Sequence, residues 1–363
     1  MEEMESKKSE ADTAVDTAIE TSIARRTFLK WASVGLGGIL LGNITGRKVF
    51  PLPAEAETRK RLRISFDIFF SEHGKQQEAQ ELEKSIKTTD IFVPENYGWT
   101  EKEKKYFEAV SQGTMTVAEV VAKYGPRKEF SLGQLNALYN KRKTIEMIDL
   151  PDGNPLVQEL EKSLDAVATI NFGDDFNQAL EKRKKVLLQY ATIQKKREEY
   201  WMQELGKLSE SISKRPYPAL KNKIDIKILL ALGAMHTGIF QKLREQRQEA
   251  ARTFHRTPYR FSYINEVARR HLFHKEVSDD LIAKELLETL ASNADSSWFF
   301  HSTEASFQRD ILARFNTEEI KDLYNQMRSN QYMQYAVFRK RFRELAKKKG
   351  IELPPSHLDG END

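Results

Sequence analysis

Short apolar runs of strand length alternate along the chain with longer segments whose apolar residues recur every three or four positions. The runs that are rich in β-branched and aromatic residues lie at 63–70, 90–93, 144–149 and 224–232. Residues 259–263 are a weaker strand candidate, placed at a sheet edge because Pro258 precedes them. A helical pattern at 75–86 separates the first two runs, and a strand–helix–strand unit joins parallel strands. The pattern therefore predicts an α/β fold with a mostly parallel central sheet flanked by helices.

Helical periodicity also predicts a long insertion and an all-helical C-terminal region. Before the C-terminal region, the predicted helices are 100–113, 116–124, 132–139, 155–164, 176–213 and 240–247. The apolar positions of 176–213 hold no strict heptad, which favours packing across the sheet over a coiled coil. From residue 266 onward, the predicted helices are 266–274, 278–292, 304–315, 317–328 and 332–349.

The N-terminal residues have the pattern of an export signal. Residues 31–45 carry no charge, and Ala54-Glu55-Ala56 offers a small-x-small cleavage site. The preceding stretch, Ala24-Arg25-Arg26-Thr27-Phe28-Leu29-Lys30, resembles the twin-arginine motif Ser/Thr-Arg-Arg-x-Phe-Leu-Lys and departs from it only at its first position.

This resemblance implies that a twin-arginine (Tat) translocase binds Arg25 and Arg26, with transient membrane contact through the signal segment. It also implies an extracytoplasmic location, periplasmic or secreted, in a prokaryote. The alternative is an uncleaved N-terminal membrane anchor, but the uncharged run is shorter than the ~20 residues that a span needs. We therefore divide the chain into a signal peptide (1–56), an α/β domain (57–264), a helical region (265–350) and a disordered tail (351–363).

Composition narrows the possible chemistry. The chain has no cysteine, which excludes disulfides, thiolate nucleophiles, zinc–thiolate sites and iron–sulfur clusters. A metal site would have to use His, Asp or Glu. Residues 1–56 hold 7 of the 58 basic and 8 of the 54 acidic residues, so the rest carries a net charge of +5. Those charges are interleaved along helices, which indicates solvated helix faces and no nucleic-acid partner.

Each of the four clearest strand runs ends at or shortly before a candidate polar side chain, namely His73, Glu95, Asp149 and His236. Since the carboxyl ends of parallel strands meet at one sheet edge, we expect these side chains to converge. Two imidazoles and a carboxylate can hold a divalent ion with one coordination position open. Such an ion activates water and polarises a carbonyl, while a second carboxylate serves as general base. The alternative for His236 is a residue that only caps the following helix.

The stretch Gly233-Ala234-Met235-His236-Thr237-Gly238-Ile239 is similar to the second Gly-x-x-His motif of the TIKI/TraB superfamily, which has ChaN-like and erythromycin-esterase-like relatives. His73 and Glu95 stand where the family has its first motif and its glutamate. Arg197 matches the arginine that the family carries on a helix before the second motif. The first motif is altered, because Phe70 replaces its glycine and Glu72 adjoins His73 directly.

The resemblance implies that His73, His236 and Glu95 bind a divalent metal, and that Glu95 and Arg197 are catalytic. For Arg197, pairing with a glutamate on its own helix is the alternative. Three functions stay open: a Tat-exported metal-dependent hydrolase of peptide or ester bonds, an extracytoplasmic protein that binds haem, iron or a small molecule without catalysis, and a partner-binding protein that acts through its C-terminal helices. The altered first motif favours the second of these.

Overall fold

The computed structural model describes residues 62–71, 76–125, 129–214, 217–233, 235–254, 261–294, 305–330 and 333–353. The predicted signal segment with Arg25 and Arg26, the tail beyond residue 353, and His73 lie outside the described residues. None of the helices in these ranges combines the length and the hydropathy that crossing a membrane requires.

A five-stranded, all-parallel sheet forms the centre, which confirms the predicted α/β class. Its strands are β1 (Arg63–Ser71), β2 (Ile91–Pro94), β3 (Thr144–Ile145), β4 (Asp225–Gly233) and β5 (Glu249–Phe254), in the order β3-β2-β4-β1-β5. The described helices are α1 (Gln76–Lys87), α2 (Glu101–Gln112), α3 (Val117–Tyr124), α4 (Glu129–Leu138), α5 (Pro155–Ala168), α6 (Phe176–Lys214), α7 (Thr237–Glu245), α8 (Tyr263–Leu272), α9 (Asp279–Ala294), α10 (Ala305–Ala313), α11 (Thr317–Ser329) and α12 (Gln334–Lys348), with a 3₁₀ turn at Pro218–Leu220.

The predicted strand at 259–263 is wrong where the structure describes it, because Tyr263 begins α8. The side chain of Ser262 accepts a hydrogen bond from the backbone N–H of Asn265, which is the bond of a helix N-cap. The fifth strand is instead β5, which pairs only with β1 among the described strands and is largely exposed on its solvent side. The predicted strand at 144–149 is also shorter, since β3 ends at Ile145.

The two faces of the sheet have separate apolar cores. Helix α1 contributes Leu82 and Ile86 to the core on one face. The second half of α6 and helix α7 contribute Trp201, Leu205 and Ile239 to the core on the other face. The connection from β1 to β2 runs toward the β3 edge, whereas the connection from β4 to β5 runs toward the opposite edge. Ligands of open α/β sheets bind at the carboxyl ends of strands where the connections diverge in this way.

Helix α6 belongs to two cores at once. Its first half, including Leu187 and Ile193, packs in a helical core with α8, α9, α11 and α12. Its second half, from Trp201 onward, packs on the sheet. Met235, one residue before His236, is also part of the helical core. The C-terminal helices therefore help to fix the loop that carries His236.

Glu288 of α9 should make stability depend on pH. It is buried and accepts hydrogen bonds from the backbone N–H groups of Tyr263 and Ile264. Burial raises the pKa of Glu288 from 4.5 to about 7, although the charge of Arg309 and these two bonds oppose the rise. A carboxyl whose pKa is higher in the folded state contributes its full share to the free energy of unfolding below its unfolded pKa. That contribution is lost as the pH rises through the folded pKa.

We therefore expect Glu288→Gln to be more stable than the wild type at pH 8, by about 2–3 kcal/mol, with the difference shrinking toward pH 4.5. Urea unfolding at several pH values measures it, and Glu276→Gln, at an exposed position, is the control. A difference that stays constant between pH 4.5 and 8 would contradict the assignment to Glu288.

Candidate functional site

The structure brings three of the predicted site residues together at the carboxyl edge of the sheet. Glu95 directly follows β2, His236 stands between β4 and α7, and Arg197 lies near the middle of α6. Asp149 joins them from the loop after β3. These residues and Glu198, which sequence reasoning missed, form what we call the edge cluster; His73 lies outside the described residues.

The Asp149 carboxylate is held in the edge cluster by hydrogen bonds from several donors. Its carboxylate accepts two hydrogen bonds from the Arg197 guanidinium, one of them from Nε at 3.0 Å, and one from Trp201 Nε1 at 2.8 Å. The backbone N–H groups of Asn96 and Leu150 donate to the same carboxylate at 3.1 and 2.8 Å. A bidentate arginine–carboxylate pair is directional as well as strong, so Asp149 sets the orientation of the Arg197 guanidinium. The partners of Arg197 come from other elements and not from its own helix.

Glu95 links the arginine to the histidine. Its Oε1 accepts a hydrogen bond from Arg197 Nη2 at 3.0 Å and lies 3.1 Å from His236 Nε2. Its Oε2 accepts the backbone N–H of Gly233, the last residue of β4, at 2.5 Å. With 7% of its surface exposed, Glu95 is the most accessible member of the edge cluster, and Tyr97, two residues further on, is half-buried. The Tyr97 ring centroid lies 5.3 Å from the Arg197 guanidinium carbon.

The His236 ring lies between two carboxylates. Nε2 faces Glu95, and Nδ1 lies 3.5 Å from Glu198 Oε1. Burial alone would lower the pKa of His236, and Arg197 acts in the same direction. The charge of Glu95 and the close approach of the Glu198 and Glu95 carboxylates to the two ring nitrogens outweigh both and raise the pKa to about 9. The imidazole is therefore protonated at neutral pH. It stands at the N-cap position of α7 without making a side-chain capping bond.

A polar stripe on α6 is the sequence signal that could have revealed Glu198. Tyr190, Gln194, Arg197, Glu198 and Trp201 share one face of the helix and are all buried. Their spacing of 4, 3, 1 and 3 residues is the spacing that normally carries apolar side chains into a core. Polar groups at core positions indicate a buried polar site.

The charges of the edge cluster and its surroundings balance. Glu95, Asp149 and Glu198 supply three negative charges when ionised. Arg197 and protonated His236 supply two positive charges, and Lys242 supplies a third, with its Nζ 3.6 Å from Glu198 Oε2. Burial lowers the pKa of Arg197, but Asp149 and Glu95 raise it above its usual value. Ions removed from water persist when they are paired in this way.

The described part of the edge cluster does not fit a divalent metal as it is arranged. Within the described ranges, no group of three or more His, Asp and Glu side chains is placed to hold a metal ion. Both ring nitrogens of His236 face carboxylates, Nε2 toward Glu95 and Nδ1 toward Glu198. Glu95 already pairs with Arg197 and Gly233. The predicted metal site also requires His73 and therefore stays a prediction.

Comparison of the chain with protein-family models, with curated proteins and with solved structures finds no significant match. The resemblance to the TIKI/TraB superfamily therefore stays a prediction that depends on the motif around His236.

Proposed function

We propose that this chain is exported through the twin-arginine route and hydrolyses peptide or ester bonds at the edge cluster. The observation that supports hydrolysis best is the contact of Glu95 with His236, 3.1 Å apart, beside Arg197 at the carboxyl edge of a parallel sheet. Proton donor, proton acceptor and fixed positive charge are the groups that acyl transfer to water needs.

The three side chains take complementary roles in this proposal. Water adds to the carbonyl carbon of the substrate, and Glu95 accepts the proton that the water loses. Arg197 stabilises the negative charge that develops on the carbonyl oxygen. His236 donates its proton to the leaving nitrogen or oxygen as the carbon–nitrogen or carbon–oxygen bond breaks. Substrate reaches the edge cluster past Glu95, its most accessible member.

Replacement of Glu95 tests the proposed chemistry. Glu95→Gln keeps the shape and the acceptor for the Gly233 N–H but removes the base, so we expect turnover to fall by about 10²–10⁴-fold. The measurement is a screen of chromogenic esters and of peptides with the wild type, followed by rates for the variant. Glu101→Gln, exposed at the start of α2, is the control. Wild-type rates in Glu95→Gln, with the fold intact, would refute the role of Glu95.

Export has its own test. Because the twin arginines are the recognised element of such signals, we expect the double replacement Arg25→Lys and Arg26→Lys to retain the protein in the cytoplasm. Cell fractionation followed by immunoblotting measures the location. Arg47→Lys, on the other side of the uncharged run, is the matched control. Unchanged export of the double variant would show that another route carries the chain.

A ligand-binding protein without turnover is the second candidate. It is supported by the buried Gln194 amide and by Arg197 Nη1, which form no hydrogen bond to a described residue. A polar ligand would satisfy these groups. Ligand retained by both the wild type and Glu95→Gln, with turnover by neither, would favour this function. Elemental analysis of the wild type, His73→Ala and His236→Ala tests the predicted divalent ion in either case.

A further inference from the structure

Glu198 occupies an energetically unfavourable position that the proposed hydrolysis does not explain. Its carboxylate is completely buried, and neither oxygen forms a hydrogen bond to a described residue. Its two cationic neighbours lie just beyond hydrogen-bonding distance, His236 Nδ1 at 3.5 Å and Lys242 Nζ at 3.6 Å. An ionised carboxylate loses a large hydration energy on burial, so this placement must be offset by its neighbours.

Helix α7 makes room for this carboxylate at Gly238. A Cβ atom at position 238 would lie 2.6 Å from Glu198 Oε2, which is closer than real Cβ contacts, and 3.3 Å from the carboxylate carbon, which is a tight contact. Glycine is an unfavourable choice within a helix because it is conformationally free in the unfolded chain. Two locally unfavourable residues, a buried glutamate and a helical glycine, thus meet at one point beside the His236 ring.

We propose that Glu198 is a positioning residue, which holds His236 through Nδ1 so that Nε2 stays directed at Glu95. An imidazole that faces a carboxylate at each nitrogen resists a ring flip, and the partner on one nitrogen fixes what the other presents. Lys242 Nζ lies 3.6 Å from Glu198 Oε2, which is the oxygen nearest to Gly238. The effect of Glu198 on turnover rests on the proposed function, whereas its effect on the orientation of the His236 ring does not.

The test compares two neighbouring glutamates of α6 in the full chain. Glu198→Gln removes the charge at Nδ1, and Glu199→Gln changes the next residue, which is exposed. Nitrogen-15 NMR of histidine-labelled protein, with His236 assigned by loss of its signals in His236→Asn, reports the state of each ring nitrogen. We expect the Nδ1 signal of His236 to shift in Glu198→Gln and to stay in place in Glu199→Gln. For any substrate found, we expect kcat to fall at least 10-fold with little change in KM.

Gly238→Ala tests the same contact with every charge retained, should Glu198→Gln fail to fold. We expect it to displace the carboxylate and to shift the same Nδ1 signal. Its control is Gly206→Ala, because a Cβ at that exposed helical position meets no atom within 4 Å. Unchanged His236 ring signals in both folded variants would overturn the inference. Shifted signals in a protein that turns over no ester or peptide would uphold it and refute the proposed hydrolysis instead.

Discussion

Arg197→Ala is expected to lower the free energy of unfolding by about 3–5 kcal/mol, because it leaves buried carboxylates without their counter-charge. Arg197 is completely buried and contacts both Asp149 and Glu95. Removing one partner of a buried ion pair costs far more than the pair contributes, since the remaining charge keeps its desolvation penalty. Asp149 would retain Trp201 and two backbone N–H groups as donors, which limits the loss to this range.

The control for this prediction is the preceding residue of the same helix. Lys196 pairs with Glu159 at the surface, where the two side chains are 53% and 49% exposed. Exposed pairs of this kind contribute about 0–1 kcal/mol, so Lys196→Ala should scarcely change stability. Urea unfolding followed by circular dichroism measures both variants. Equal losses for Arg197→Ala and Lys196→Ala would show that the buried network does not stabilise the fold.

The second large effect is expected from a chain that ends at Asn330 and so lacks α12. Helix α12 buries Phe338, Phe342 and Leu345 in the helical core, and the Phe342 ring stacks on Phe315 with centroids 4.9 Å apart. Each large apolar side chain contributes about 1.5–3 kcal/mol when buried. Their combined loss is comparable with the 5–15 kcal/mol that stabilises a typical domain. We therefore expect the helical core to unfold.

Loss of that core should also disrupt the edge cluster, because Met235 packs in it beside His236. Near-ultraviolet circular dichroism of the truncated chain, and its rate on any substrate of the wild type, measure the effect. Lys340→Ala and Lys347→Ala, which alter exposed positions of α12, should change stability by no more than about 0.5 kcal/mol each. A truncated chain that unfolds at the wild-type midpoint would show instead that the helical region is a separable module, as a purely partner-binding role requires.

Periodicity in the sequence is sufficient for most of the fold because β1, β2 and β4 are buried on both faces. Such strands consist of near-continuous apolar runs, and the predicted boundaries agree with the structure within about one residue. Strand β5 was not predicted because its exposed edge position requires few apolar residues. Its sequence from Glu249 to Phe254 has a single buried residue, Ala250. Edge strands are stabilised by pairing, which a local pattern does not contain.

The site was predictable only in part, for a similar reason. Glu95, Asp149 and His236 could be inferred because a parallel sheet brings the ends of its strands together. The hydrogen bond between Arg197 and Asp149 joins residues 48 positions apart. The approach of Glu198 to His236 depends on how α6 crosses the sheet. Neither follows from a local motif. The buried polar stripe on α6 is the pattern that would have identified this face.

The continuous passage of α6 through two cores restricts how its length can change. Each added residue turns the following part of an α-helix by about 100° and advances it by about 1.5 Å. One residue inserted between Ile193 and Trp201 would therefore turn one apolar face toward solvent while the other stayed in its core. An insertion of about seven residues, two nearly complete turns, would restore both faces. Placed on the N-terminal side of Arg197, it would displace Arg197 from Asp149 by roughly 10 Å. The number of α6 residues between the two cores is therefore constrained. It can change only if the sheet edge and the helical core change with it.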